Sequence, residues 1–193
     1  MPQIRKTLRR IDQPGTARFL TFSCYRRLRL FDNDRIKNRF VERLTQVAQD
    51  KCVQVIAWVV MPEHVHLVLL PSESGVTVGS FLRSLKSPLS AEVLGVWRDR
   101  RALILSHITD NAGDHHFWQA GGGYDRNVWG QELLEKIRYC HANPVTRGLC
   151  ERSVDWPWSS ARNYEAGTTK FCDDAIGPAI PLDLLPRARG PLT

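Results

Sequence analysis

The sequence predicts an α+β sandwich, an antiparallel sheet with helices on one face and an extra helix toward the C-terminus. Three observations predict it. β-rich runs fall at 18–25 and on both sides of Met61-Pro62-Glu63. Apolar residues three and four apart mark helices after 33, after 78 and after 130. The two kinds of segment also alternate in an order that a single sheet can accommodate.

Residues 1–16 are basic and contain Pro14 and Gly15, so they read as an arm leading into the first strand. In "RFLTFSCY" Leu20, Phe22 and Cys24 alternate with Phe19, Thr21, Ser23 and Tyr25, which is a strand with one clearly apolar face. Asp32 or Asn33 then caps a helix whose Ile36, Phe40, Leu44 and Val47 form one stripe, while Arg35, Lys37, Arg39 and Arg43 stand opposite. "VQVIAWVV" and "HVHLVLL" form a tight antiparallel pair around Pro62, where a missing N–H does no harm. A second helix starts near Val78, with Pro88 expected to interrupt or kink it. Residues 96–128 are ambiguous: "RALILSHIT" suits strand or helix, and three consecutive glycines predict a mobile loop beside a short strand. "GQELLEKIRYCHANPVTRG" is helical, with Leu133, Ile137 and Cys140 on one stripe and an end or kink near Asn143 imposed by Pro144. Strand, helix, strand, strand, helix, strand, helix is the order of a ferredoxin-like sandwich with one helix added.

The 193 residues, 42% of them apolar, suit one compact domain over 1–165 with a Pro-rich tail over 166–193. The net charge of +7 is concentrated in residues 1–50, where twelve Lys and Arg face five Asp and Glu. Most of these cations are arginines, whose planar fork suits phosphate, so a polyanionic partner is expected. Cys24, Cys52, Cys140, Cys150 and Cys172 are odd in number and lack a Cys-x-x-Cys pair, as expected of reduced thiols in a cytoplasmic protein. No signal-peptide h-region opens the chain and no apolar run reaches the roughly 18 residues of a membrane span, so no membrane partner is expected.

The chemistry is expected from "AWVVMPEHVHLVLLP". Residues i and i+2 of a strand point the same way, so His64 and His66 can converge on one ion while Val65 packs behind them. Two unpartnered imidazoles inside so apolar a run would be costly. In "YCHANP", Tyr139 and Asn143 are i and i+4 on one helix face, where Asn143 can offer a carbonyl oxygen as third ligand and Tyr139 a hydroxyl near the ion. Glu63 reads as a turn residue, with a partner role for an imidazole as the alternative. His141, almost opposite Asn143 around the helix, is assigned to surface or packing, and His115 and His116 have metal-capable rings without such a context.

"VVMPEHVHLVL", "FWQAGGGYDRNVW", "YCHANPVTRGL" and "DWPWSSARNY", in that order, resemble the REP-associated tyrosine transposases, a branch of the HUH single-strand DNA transposases and endonucleases, over residues 15–165. The resemblance implies magnesium or manganese held by His64, His66 and Asn143, with Tyr139 as the nucleophile on the extra helix. It implies cleavage and rejoining of single-stranded DNA at hairpins or short palindromic repeats through a 5′-phosphotyrosine link, in a bacterial cytoplasm, by a monomer or a homodimer. Tyr124 is the competing nucleophile. Arg5, Arg9, Arg10, Arg26, Arg27 and Arg126 are the expected DNA contacts, helped by the Arg-rich helix face. Trp97, Trp118 and Trp129 could stack unpaired bases, whereas Trp156 and Trp158 suit core packing better. A non-catalytic nucleic-acid-binding protein and a nuclease using water are the rival readings.

Overall fold

A computed structural model describes residues 15–71, 75–121 and 123–165. Four strands, β1 (Ala17–Ser23), β2 (Gln54–Val60), β3 (His64–Leu70) and β4 (Tyr124–Val128), form one sheet in the order β2-β3-β1-β4. Every neighbouring pair is antiparallel. This is the expected ferredoxin-like arrangement, with the first and third strands central.

Both faces of the sheet are covered. Helices α1 (Asp34–Asp50) and α2 (Val78–Asp99) lie on one face, over Leu20, Phe22, Trp58, Val65, Leu67 and Leu69. The extra helix, α4 (Gly130–Thr146), lies on the other, where Leu133, Ile137 and Cys140 pack on Phe19, Ile56, Val59 and Val68. A strand buried on both faces is apolar throughout, and this explains the long hydrophobic run around the two histidines. Their side of β3 is the α4 side.

The expected apolar stripe of α1 is buried, and Asn33 caps it by accepting a hydrogen bond from the Arg35 N–H at 2.9 Å. Its opposite face is not a bare cationic surface. Arg39 is paired with Glu92 and Glu42 at 2.9 and 2.6 Å, and Lys37 is buried, its ammonium bonded to Asp34 and 3.8 Å from the Trp158 ring centroid. Arg39 thus joins α1 to α2, and Lys37 is held by Asp34 one turn earlier on α1 itself.

Pro88 neither interrupts nor ends α2. A proline leaves the carbonyl four residues earlier without its helical donor, and here the Ser84 carbonyl accepts from Arg43 Nε at 3.1 Å instead. Helix α4 similarly continues past Pro144 to Thr146 before the Arg147 N–H closes on the Asn143 carbonyl. The ambiguous segment "RALILSHIT" forms the short helix α3 (Leu105–Ile108), and α5 (Ala161–Glu165) ends the described chain.

Gly123, in the glycine run, sits at φ +72° against β1. A Cβ there would stand 1.9 Å from the Thr21 carbonyl oxygen. Gly123→Ala is therefore expected to cost about 3 kcal/mol through overpacking and backbone strain, lowering the melting temperature by roughly 10 °C. An unchanged melting temperature would contradict this close approach.

Most tryptophans are structural. Trp118 packs among Phe22, Phe31, Phe40 and Phe117, and Trp97 stacks on Phe117. Trp156 and Trp158 pack on each other, as expected. Trp129, 60% exposed at the start of α4, keeps a face open to solvent. No described helix is long and apolar enough to cross a membrane.

Candidate active site

Strand register places the site. Thr21 lies opposite His66 and Ser23 opposite His64, so both imidazoles rise from the centre of the sheet beneath the C-terminal half of α4. Both rings are buried. Their Nε2 atoms are 3.0 Å apart, and the side-chain amide of Asn143 lies 3.1 Å from His66 Nε2.

The far side of each ring is held as well. Glu63 Oε1 is 3.1 Å from His64 Nδ1, and Thr21 Oγ1 is 2.7 Å from His66 Nδ1. A carboxylate accepts only, so His64 donates from Nδ1 and turns a lone pair at Nε2 toward the cleft. Outer partners of this kind fix the tautomer and orientation of metal-binding histidines. Glu63 also pairs with Arg147 at 2.9 Å and approaches Arg27 at 3.7 Å. It is a buried positioning residue, which corrects its reading as a simple turn residue.

The geometry fits a divalent cation. Atoms bound at right angles about 2.1 Å from one ion lie about 3.0 Å apart, which is the observed spacing. A half-turn of the Asn143 amide exchanges its nitrogen for its oxygen. Among the described residues no three His, Cys, Asp or Glu side chains cluster as a metal site; beside the two histidines, this amide is the polar side chain placed to offer a third donor.

Burial keeps the rings neutral. It pushes His66 down to about 3, helped by the nearby charge on His64, Arg27 and Lys136. Burial also lowers His64, although Glu63 opposes it. For Glu63, burial pulls upward, but the charges of His64 and Arg147 and their hydrogen bonds outweigh it and lower the carboxyl. His141, whose Nε2 is 2.9 Å from Ser160 Oγ, is pushed down by burial to about 4; it packs against Tyr164, as expected of a residue facing away from Asn143.

These shifts set a direction for stability. Near neutrality the folded and unfolded forms carry the same charge on these histidines. Below pH about 6.5 the unfolded chain takes up protons that the folded one refuses, so stability falls as pH drops toward 4. In EDTA, the urea midpoint is expected to decline steadily from pH 7 to 4.5. A flat profile would contradict the burial of neutral imidazoles.

Tyr139 and Asn143 do share a helix face, with Asn143 buried and Tyr139 half exposed. The Tyr139 ring centroid is 5.1 Å from that of His66. Lys136, one turn earlier, holds its ammonium over Phe19 and Tyr139. The surrounding cleft of about 580 Å³ is walled by Arg27, Lys136 and Arg147 as well as by the two histidines, Tyr139 and Asn143. Its cationic groups suit a phosphate. Lys136, Arg147 and Thr21 were not singled out from the sequence; Lys136 and Arg147 fall on the Tyr139/Asn143 stripe of α4, and that periodicity was the available signal.

Tyr124 is at the opposite rim, across Phe19. Its hydroxyl bonds Arg126, whose guanidinium also meets Glu132 at 3.2 Å. Arg126 is exposed on edge strand β4, and Arg26 lies over the Tyr25 ring and reaches the His107 carbonyl, so of these expected DNA contacts Arg27 is the one that lines the cleft. Arg5, Arg9 and Arg10 lie outside the described residues.

Replacing Glu63 by Gln removes the charge that steadies His64 while its exposed arginine partners remain hydrated. Glu63→Gln is expected to weaken manganese binding about 10- to 100-fold, measured by calorimetric titration. An unchanged dissociation constant would contradict the positioning role.

Comparison with known proteins agrees with the fold and the motifs. The family model described as "Transposase IS200 like" matches residues 16–142. The REP-associated tyrosine transposase of Escherichia coli (strain K12) is 25% identical over 119 residues, covering 61% of this chain and 59% of that protein. The chain thus spans about three-fifths of that relative's length. A solved structure of a REP-associated tyrosine transposase bound to a REP hairpin superposes with a TM-score of 0.63 at 22% identity, covering 82% of this chain and 84% of that one. At that identity the likeness is one of fold.

Proposed function

This chain belongs to the IS200-like transposase family, and from that premise we propose that its cleft cleaves and rejoins single-stranded DNA through a phosphotyrosine link. The observation that carries the reading is the convergence of His64 Nε2 and the Asn143 amide on His66 Nε2, at 3.0 and 3.1 Å, beside a half-exposed Tyr139. One relative's structure holds a REP hairpin; a hairpin-bearing single strand is therefore the proposed substrate here.

In this reading Arg27, Lys136 and Arg147 draw the phosphodiester into the cleft. Thr21 and Glu63 keep both Nε2 lone pairs aimed at one point. Magnesium or manganese bound there would polarise the scissile phosphate and offset transition-state charge. Tyr139 Oη forms a bond to phosphorus as the bond to the 3′-oxygen breaks. The phenol proton is balanced by the one gained at the departing 3′-hydroxyl. Phosphate ester is exchanged for phosphate ester, so a 3′-hydroxyl can later reverse the step without ATP.

The test is a denaturing gel of the full chain with end-labelled hairpin DNA and manganese. A labelled protein band that EDTA removes is expected. Binding without an adduct on any hairpin would favour a non-catalytic binding protein, and cleavage without an adduct would favour a nuclease using water.

A further inference from the structure

A second groove, of about 510 Å³, lies between α2 and the edge of the sheet. The catalytic cleft and this groove share two walls, Thr21 and Tyr124. Strand β4 begins at Tyr124, paired with Thr21, and past that point the edge of β1 is met by Gln119, whose N–H donates to the Ser23 carbonyl at 2.9 Å, and by Gly123, which lies against Thr21. Close to that point the chain carries Gly121 and Gly123, which project no side chain. A strand leaving the cleft can therefore cross the sheet edge beside Tyr124 and reach the groove.

The lining of the groove suits such a strand. Arg83 and Lys86 are three residues apart on α2 and share one face with Ser87 and Ser90. The Lys86 ammonium is placed by the rings of Phe22 and Trp118, 5.1 and 5.2 Å from their centroids, with the Trp118 indole N–H bonded to the Lys86 carbonyl. The one carboxylate in the lining, Asp125, is bound to Arg18 at 2.6 Å, so its charge is offset within the sheet. Gln119 adds an amide able to meet a base edge. The result is two cations and a row of neutral hydrogen-bonding groups, the chemistry of a phosphodiester backbone with unpaired bases.

We propose that this groove is a second nucleic-acid subsite, which takes the single-stranded DNA flanking the scissile phosphate as it passes over the sheet edge at Tyr124, with Arg83 and Lys86 on its phosphates. The inference rests on the strand-cleaving reading of the cleft for the identity of its occupant. It assigns α2 a role in DNA binding.

The test uses the full chain in EDTA and a labelled GC-stem DNA hairpin carrying an oligothymidine tail on the 5′ side, on the 3′ side, or on neither. Fluorescence anisotropy gives the gain in affinity due to each tail. In the wild type one of the two tails is expected to raise affinity about tenfold. Arg83→Gln/Lys86→Gln is expected to abolish that gain, to lower the salt dependence on the tailed probe by about 1.4 in log–log slope for two phosphate contacts, and to leave the tail-less hairpin bound as before. Ser87→Trp, which fills the groove without removing charge, is expected to abolish the same gain.

If neither variant changes the gain, or if tailed and tail-less probes weaken equally, the groove proposal is wrong. Adduct formation with manganese is scored separately. A wild type that shows the tail effect but never forms an adduct would sink the strand-cleaving reading and leave the groove standing. Adducts together with an unchanged tail effect in both variants would do the reverse.

Discussion

Tyr139→Phe is expected to remove the covalent protein–DNA adduct, a loss on the order of 10⁴-fold or more, while hairpin binding and melting temperature stay close to wild type. The ring is half exposed and its removed hydroxyl lies in an open cleft, so the fold loses almost nothing. What is lost is the oxygen that attacks in the proposed reaction, beside His66. Tyr124→Phe is the matched control. Its hydroxyl is bonded to Arg126 at the other rim, and adduct formation in that variant is expected to persist within about threefold, on the scale of one modest hydrogen bond. Adduct loss in Tyr124→Phe with retention in Tyr139→Phe would move the nucleophile to β4.

His66→Ala carries the second large effect. The ring stands at the centre of the site, with Thr21 behind it and His64 and Asn143 in front. Without it a divalent ion keeps two protein ligands, and the cationic walls of the cleft remain to hold DNA. The expected result is loss of measurable manganese binding and at least a hundredfold slower adduct formation, corresponding to about 3 kcal/mol of transition-state stabilisation. The affinity for hairpin DNA in EDTA is expected to change little. A variant that still forms adducts at the wild-type rate in a metal-dependent way would show that the ion sits elsewhere.

Much of the site was legible in the sequence because it obeys two periodicities. Period two put His64 and His66 on one side of β3, and period 3.6 put Tyr139 near Asn143 on α4. Element order placed β3 in the sheet and left α4 as the added helix. Pairing across the sheet was less accessible. Thr21 meets His66 through a register that joins residues 45 positions apart, and no local pattern marks a threonine for that. Glu63 was visible as a neighbour of His64, yet its partners Arg27 and Arg147 arrive from the turn after β1 and from the residue that ends α4. The proline in α2 misled for a related reason: Arg43, on another helix, satisfies the carbonyl that Pro88 leaves open. The pairing of Arg39 with Glu92 was equally out of reach, since charge on a helix face does not reveal a carboxylate on the helix beside it.

The same distinction separates the two cationic regions near β1. On α1, Arg39 and Lys37 are bound to carboxylates one for one or better, whereas the cleft is walled by three cations, Arg27, Lys136 and Arg147, of which Arg27 and Arg147 share one buried carboxylate, Glu63. The cleft therefore keeps an excess of positive charge. The cationic walls, the His64/His66/Asn143 cluster and Tyr139 therefore coincide on the α4 side of the sheet.

The most direct test is peptide mapping of the wild-type chain after reaction with hairpin DNA and manganese. Nuclease trimming followed by trypsin and mass spectrometry should place a residual nucleotide on the peptide 139–147, which begins at Tyr139, and leave the peptide containing Tyr124 unmodified. A nucleotide on Tyr124, or cleaved DNA with no modified tyrosine, would contradict the account.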